Sequence, residues 1–439
     1  MNTNFIEEKL LPIAEKVQAN KYITAISRGF IALTAASMIG AVYTLLKSLP
    51  LGAGYTNFLA STGLDKILNI PISATTELMG MFVAFSIAYQ LAKSFKRDAF
   101  AVGFISLISF FIVTPFSTNV LDAAGNSIAV EGVIPKTWIG AQGMFVAMII
   151  AIIVVKIYDF VINKNWKIKL PEGVPPMVAE PFEAIIPAFI IVTIFLLVRA
   201  GFQLTPFKDV HQFIYGLIQV PFSKIGNSFI AYILVIMAAQ ILWFFGIHGA
   251  TVTKSIMMPF WIAAATANTI ALANGEPIPN MLTMNFYALT TIALGGSGNT
   301  IGLSFLMAFR AKSKRYKTLG KLGGIPNIFN ITEPIIFGFP IVMNPSMLIP
   351  WICTPLITFI VGYVLMNINI IGIPAVLPPY TTPFFAIGFL AGAGINFGIF
   401  VILASLISVI CYYPFFKIAD KKALEEENIG ANNKEAVEA

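Results

Sequence analysis

Apolar residues in this chain follow neither the helical nor the strand period. They run in blocks of about 20, separated by short polar or basic connectors, which is the length needed to cross a hydrocarbon layer. The blocks predict about ten membrane spans, near Phe30–Leu49, Glu77–Ala92, Ala99–Val120, Trp138–Ile162, Ile185–Phe202, Ser228–Phe245, Ser255–Ala271, Leu282–Phe309, Leu348–Met366 and Phe397–Phe416. The second block is short unless it extends toward Ile72. Two further apolar regions, Leu322–Pro345 and Ile370–Gly394, are punctuated by Pro and Gly. Pro326, Pro334, Pro340 and Pro345 rule out one smooth helix in the first, because each removes a backbone donor. Broken backbone survives at membrane depth only where protein or a wet cavity satisfies it, so both regions are expected to be re-entrant or unwound. The pattern predicts an all-α polytopic membrane protein.

Composition agrees: 57% of the 439 residues are hydrophobic and 11% are charged. The net charge of +7 does not mark a nucleic-acid binder, because the Lys and Arg sit in short loops rather than on one face. With the N-terminus inside, the clusters Lys93/Lys96/Arg97, Lys164/Lys167/Lys169, Arg310–Lys321 and Lys417/Lys421/Lys422 all fall on the inner side. Only Lys47, Lys66, Lys136, Arg199, Lys208 and Lys224 fall outside. The positive-inside rule then places both termini in the cytoplasm of a cell membrane. The cluster Arg310–Lys321 is read as setting topology or meeting anionic lipid, with contact to a soluble partner as the alternative. Outer loops are expected to form hairpins and short irregular stretches.

The chain divides into a 1–27 amphipathic segment at the cytoplasmic membrane surface, a 28–205 half of regular spans, a 206–422 half holding the irregular segments, and a disordered 423–439 tail. Met1–Asn20 mixes charges through its apolar positions and reads as no cleavable signal. Lys164–Pro187 reads as a proline-rich connector ahead of the fifth span. Cys353 and Cys411 both lie in apolar runs and are expected to be buried, inert thiols. Neither metal spacing nor an ATP-binding loop is visible, and no cofactor is expected.

Three motifs can carry chemistry. Glu333 is a lone carboxylate in broken apolar sequence, where a charge costs about 2.5–3.5 kcal/mol on insertion scales. It can accept hydrogen bonds from hydroxyls or serve as a general base; the bland alternative is an acid at a helix start, satisfied by backbone donors. His248, in Trp243-Phe244-Phe245-Gly246-Ile247-His248-Gly249, lies between glycines that permit close approach of a ligand or another backbone. His211, the other histidine, reads as a surface residue of an outer loop. The run Gly295-Gly296-Ser297-Gly298-Asn299-Thr300 interrupts the eighth block. It fits neither a Walker A loop nor a dinucleotide fingerprint, so a helix break or re-entrant tip is expected.

FNITEPIIFGFP, WFFGIHG, GGSGNTIGL and the connector PEGVPPMVAEPFEAIIP resemble the membrane component, enzyme IIC, of bacterial sugar phosphotransferase systems, in the lactose/cellobiose/diacetylchitobiose branch. The resemblance extends from about Phe5 to Lys422. It implies a homodimer of ten-helix subunits with two hairpin-like elements, the first half dimerising and the second binding a disaccharide. Carried over position by position, Glu333 and His248 hold the sugar near its 6-hydroxyl, with Asn330, Trp243 and Asn299 as further contact candidates. It also implies a separate enzyme IIB carrying a phosphocysteine, with enzyme IIA upstream, since no phosphorylation site is expected in this chain. The protein would thus be the membrane subunit of a phosphotransferase complex, presenting the acceptor. The rival reading is a proton-coupled symporter in which Glu333 carries the proton.

Overall fold

Helix formation begins where Asn20 caps α1 (Lys21–Ala32) by accepting from the amides of Tyr22 and Ile23. The fold is taken from a computed structural model that describes residues 16, 17, 19–49, 51–121, 126–171, 176–339 and 341–438. Residues 1–15, most of the expected amphipathic segment, lie outside that range. At Leu33 the chain bends by 40° into α2 (Thr34–Lys47), so the first predicted span is a kinked pair. Then follow α3 (Ala53–Thr62), α4 (Leu64–Thr75), α5 (Met79–Ser94) and α6 (Ala99–Val113). A hairpin of β1 (Ser117–Leu121) and β2 (Ser127–Glu131), antiparallel with Ser117 opposite Glu131, follows α6. α7 (Lys136–Ile139), α8 (Met144–Asn163) and α9 (Pro176–Gln203) complete this half.

Its packing is apolar and close. Lipid is as apolar as leucine, so helices associate in it by van der Waals fit, which small residues favour. Gly29 of α1 lies against α5, where an added Cβ would sit 2.5 Å from Ile87, and Gly103 of α6 meets Phe85 in the same way. Val83, Ile87, Leu91, Val102, Phe110, Val146 and Val154 are fully enclosed. Charges tie the helix ends: Arg97 meets Asp159 at 2.6 Å, and Arg199 donates to the carbonyls of Ile112 and Thr114.

The second half comprises α10 (Val210–Ile214), α11 (Val220–Gly226), α12 (Phe229–Phe244), α13 (Gly249–Asn274), α14 (Met284–Thr291), α15 (Ile301–Arg310), α16 (Lys314–Ile328), α17 (Glu333–Gly338), α18 (Pro345–Asn367), α19 (Phe384–Ile387) and α20 (Ile395–Glu438). Tyr232 stacks between Trp261 and Phe359 at the centre of one apolar cluster. A second cluster joins Trp243, Trp351, Phe339 and Tyr412.

Several expectations change. Among the described residues six helices are long and apolar enough to cross a membrane, or seven counting α1–α2 as one, and shorter apolar helices occupy the other three predicted blocks. α6, α12 and α15 are apolar but only 15, 16 and 10 residues long. The physical stops are visible: Pro115 follows α6, Gly246 at φ 80 follows α12, and the glycine run delays α15. The second span does reach back, as one element from Leu64 to Ser94. α9 begins at Pro176, well before the predicted Ile185, because a proline at a first turn gives up no needed donor. The stretch expected as a disordered tail is drawn as helix: α20 continues to Glu438, and Glu427 accepts from the Lys314 and Arg315 amides and the Ser313 hydroxyl. His211 is fully buried rather than exposed, its Nε2 2.9 Å from the Thr114 hydroxyl between Phe110 and Trp138. Cys353 and Cys411 are partly accessible rather than buried.

Candidate functional site

The glycine run and the Asn330–Glu333 motif fold against each other. Gly295, Gly296 and Gly298 have φ of 89°, 81° and 78°, and a Cβ on Gly298 would sit 2.2 Å from Trp351. Only glycine therefore supports this loop. Three of its amides are spent on protein acceptors: Gly296 donates to the Ile292 carbonyl, Asn299 to the Gly296 carbonyl, and Gly295 to the Asn330 side chain. The loop is thus a break in the eighth block that braces its neighbour. Asn327 is the hub of the brace. Its Nδ2 donates to the Gly295 carbonyl at 2.6 Å and to the Thr300 hydroxyl at 2.9 Å, while Oδ1 accepts from Ser304 at 2.6 Å. Thr300 and Thr332 share a hydrogen bond at 2.9 Å.

Asn330 stands at φ 67, a left-handed conformation that asparagine tolerates. Its Nδ2 donates at 3.0 Å to both the Tyr380 and Thr382 carbonyls, and its own carbonyl accepts from the Tyr380 hydroxyl. This places the motif on the extended segment before α19. The Asn330 carboxamide is fully occupied by protein and wholly buried. Asn299 is also buried; its Nδ2 donates to the Thr290 carbonyl, and its Oδ1 has no partner among the described residues.

Beyond this brace the next side chain emerges. Glu333 opens α17 and is exposed, directly after buried Thr332. Pro334 suits the first turn, and the positive end of even a short helix favours an acid there. The bland reading of Glu333 is therefore partly right about its backbone. Its carboxylate, however, faces open space.

His248, within electrostatic reach of Glu333, is the N-cap of α13. Its Nδ1 accepts from the Thr251 amide at 3.2 Å and sits 2.9 Å from the Thr251 hydroxyl. With Nδ1 accepting, the neutral ring carries its proton on Nε2. The glycines beside it have backbone reasons. Gly246 has φ 80, and a Cβ on Gly249 would sit 1.9 Å from the Ala239 carbonyl. The Trp243 ring packs on His248 with centroids 4.5 Å apart, and its buried Nε1 has no partner among the described residues. The two walls are joined where the Met343 amide donates to the Phe244 carbonyl at 2.9 Å.

The structure therefore brings His248 and Trp243 into contact, with Glu333 within electrostatic reach of the imidazole, while Asn330 and Asn299 are held by protein partners in the brace. Sequence reading missed two residues. Tyr380, 54% exposed, lies within electrostatic reach of Glu333. Its signal was an aromatic in a proline-rich extended stretch, PPYTTP. Lys254 on α13 lies within reach of His248; the lone-charge argument used for Glu333 would have found it. Among the described residues no cluster could hold a metal ion.

The family model described as "Phosphotransferase system, EIIC" matches residues 27–355. The chain belongs to this family. It is 40% identical over 433 residues to the putative permease IIC component YwbA of Bacillus subtilis (strain 168), covering 97% of each chain. It is 38% identical over 429 residues to the lichenan permease IIC component of the same organism, covering 96% of this chain and 94% of that one. Among solved structures, the transporter ChbC, the IIC component from the N,N'-diacetylchitobiose-specific phosphotransferase system, matches with a TM-score of 0.91. It is 38% identical, with 97% of this chain and 99% of that one covered. This enzyme IIC is thus a multi-pass membrane sugar permease of the cellobiose/chitobiose/lactose group. Membership implies a sugar substrate and a IIB partner.

Proposed function

We propose that this enzyme IIC binds a cellobiose- or diacetylchitobiose-like disaccharide from outside, translocates it, and presents its 6-hydroxyl to a phosphocysteine on enzyme IIB. The observation that carries this is the pairing of an exposed carboxylate with an imidazole whose only free nitrogen is a donor. A hydroxyl satisfies both at once, accepting from His248 Nε2–H and donating to Glu333. The Trp243 and Tyr380 rings supply apolar surface of the kind that flanks a pyranose.

In the transfer, the S–P bond of the phosphocysteine breaks as the P–O6 bond forms. The O6 proton passes to Glu333, and a cysteine thiolate leaves. Phosphoryl transfer depends on positioning and charge stabilisation, which an oriented hydroxyl provides. The phosphorylated sugar is charged, so its return through the membrane is strongly disfavoured. Both termini are assigned to the cytoplasm by the basic loops. The first half is assigned to a homodimer contact on the family resemblance; α9 leaves Phe189, Leu196 and Leu197 bare, as a lipid-facing or subunit-facing helix would.

The test is uptake of radiolabelled cellobiose and diacetylchitobiose into vesicles carrying the protein, with and without phosphorylated IIB inside. Phosphorylated sugar formed only with the donor is the expected result. Free sugar accumulated by a pH gradient alone would overturn it in favour of proton symport.

A further inference from the structure

The basic cluster Arg310–Lys321 has no role in the transfer step, and the structure draws two of its members into a cavity. α15 and α20 run side by side in the same direction. A Cβ on Gly302 would sit 2.3 Å from the Val409 amide nitrogen, and further along the Lys312 amide donates to Asp420 at 2.9 Å. Where the two helices leave the apolar region, they border a cavity of about 790 Å³. Its cations come from two separate segments. Arg310 and Lys312 stand at the end of α15 and just beyond it, and Lys417 and Lys421 stand on α20. Positions 413, 417 and 421 are four apart, so Tyr413 shares a face with both lysines, and tyrosine marks the level of the membrane–water interface. The remaining wall is apolar, with Leu306 and Val409 on it.

Two acids also line the cavity. Asp420 is spent on the Lys312 and Ser313 amides, at 2.9 and 3.0 Å, and so fixes the connector that carries Lys312. Glu425 meets Lys421 at 3.8 Å in an exposed pair. An excess of positive charge remains. The surroundings say what kind of anion fits. Phe309, Ile410 and Ile418, each next in sequence to a lining residue, are largely exposed, and bare apolar side chains at this level mark contact with a membrane. A free phosphate or an acidic protein surface would satisfy the cations and leave these side chains bare. A phospholipid satisfies both.

We propose that this cavity seats the headgroup of an anionic phospholipid, its phosphodiester among Arg310, Lys312, Lys417 and Lys421 and its acyl chains along Leu306, Phe309 and Ile410. Basic pockets between helices at the cytoplasmic side of a membrane suit such headgroups. Lys and Arg serve well there, because their stems lie along apolar surface while the charged ends reach the interface. Assignment to the inner leaflet rests on the orientation proposed above; the site itself does not. A lipid held there bridges the ends of α15 and α20 and stabilises their pairing.

The experiment is native mass spectrometry of the purified full-length protein, titrated with phosphatidylglycerol, with phosphatidylcholine of the same chains, and with glycerol 3-phosphate. Wild type is expected to prefer phosphatidylglycerol to phosphatidylcholine by about tenfold or more, and to bind glycerol 3-phosphate far more weakly than either. Arg310→Gln with Lys417→Gln should weaken phosphatidylglycerol about tenfold to thirtyfold, the weight of two basic residues at an anionic surface. Lys314→Gln with Lys317→Gln removes the same charge from α16 and should change it by less than about twofold. Arg310→Lys with Lys417→Arg keeps the charge and should keep the affinity, which separates lost binding from lost folding. Equal losses in the two neutralised pairs overturn the proposal, as does equal affinity of wild type for the two lipids. Glycerol 3-phosphate bound as tightly as phosphatidylglycerol would make the cavity a soluble-phosphate site instead. Lipid affinity unchanged in Arg310→Gln with Lys417→Gln, together with lost IIB-dependent uptake, would assign the cations to the IIB partner. None of the titrations requires transport, so a failed uptake test leaves them standing and a failed titration leaves the transport reading standing.

Discussion

The two halves of this enzyme IIC solve the same problem, holding helices together in lipid, by different means. In the first, glycines bring helices close and the core cluster is apolar, as where Gly29 meets Ile87. In the second, the centre is wired by side-chain hydrogen bonds: Asn327, Asn330, Thr300, Thr332, Ser304 and Ser408 are all buried and all bonded. The first arrangement needs regular helices. The second permits broken ones, because side chains supply the partners that interrupted backbone has lost. The costlier construction lies in the half that carries the candidate site.

The sharpest way to break this comparison is Glu333→Gln, which keeps shape and removes the base. Phosphorylating uptake should fall by about two to four orders of magnitude, the usual worth of a positioned base, with thermal unfolding in detergent unchanged. Normal uptake would make the polarity of the second half purely architectural. Next, Ile87→Ala should lower unfolding stability by about 3 kcal/mol through a cavity, while sugar affinity per folded molecule stays the same. Impaired affinity there would erase the distinction between halves. Asn327→Ala should cost about 2 kcal/mol by stranding buried partners, and it should weaken sugar binding as well, because the brace positions Glu333. Calorimetry and ligand titration on the same samples separate the two effects.

The smallest effect concerns Glu427. The Ser313 hydroxyl, then the Arg315 and Lys314 amides, hold its carboxyl below the ordinary value of 4.5. Its folded value is depressed, so the attachment of α20 is at full strength above the ordinary carboxylate range. It weakens as pH falls through that range and is lost below the depressed value. The protection factors of segment 423–429, with the intrinsic pH dependence of amide exchange divided out, should therefore fall as the medium is acidified, and in Glu427→Gln this fall should be largely absent over that window.

Much of this was legible from the order of residues. Charge in apolar sequence found Glu333, and prolines and glycines found the broken regions, because both signals report a local cost that something must repay. What escaped depends on partners distant in sequence. Asn330 read as a sugar contact, yet its amide is spent on Tyr380 and Thr382. His211 read as a surface residue because its neighbours Lys208, Asp209 and Gln212 are polar, but Thr114 and Trp138 enclose it. The tail read as disordered from composition, which carries no record of the Ser313 hydroxyl and the Lys314 and Arg315 amides that donate to Glu427. The apolar blocks were legible as helices, and three of them are short because a proline or a left-handed glycine stands at their ends, a local interruption that mean hydropathy does not register.

Asn330 has one more consequence. Its backbone and side chain both grip the Tyr380 segment, and the Met343 amide ties the same region to the end of α12, beside His248. These links tie the walls of the site into one unit, so on the proposed reading it turns as a whole and offers the sugar the same grip whichever way it faces. A carrier of that kind does no work on its cargo: it equilibrates sugar across the membrane and exchanges it equally well in both directions. The concentration gradient is then set entirely by the free energy of the phosphorus–sulfur bond spent afterwards, and an empty cytoplasmic donor pool would turn the same protein into a passive, reversible leak.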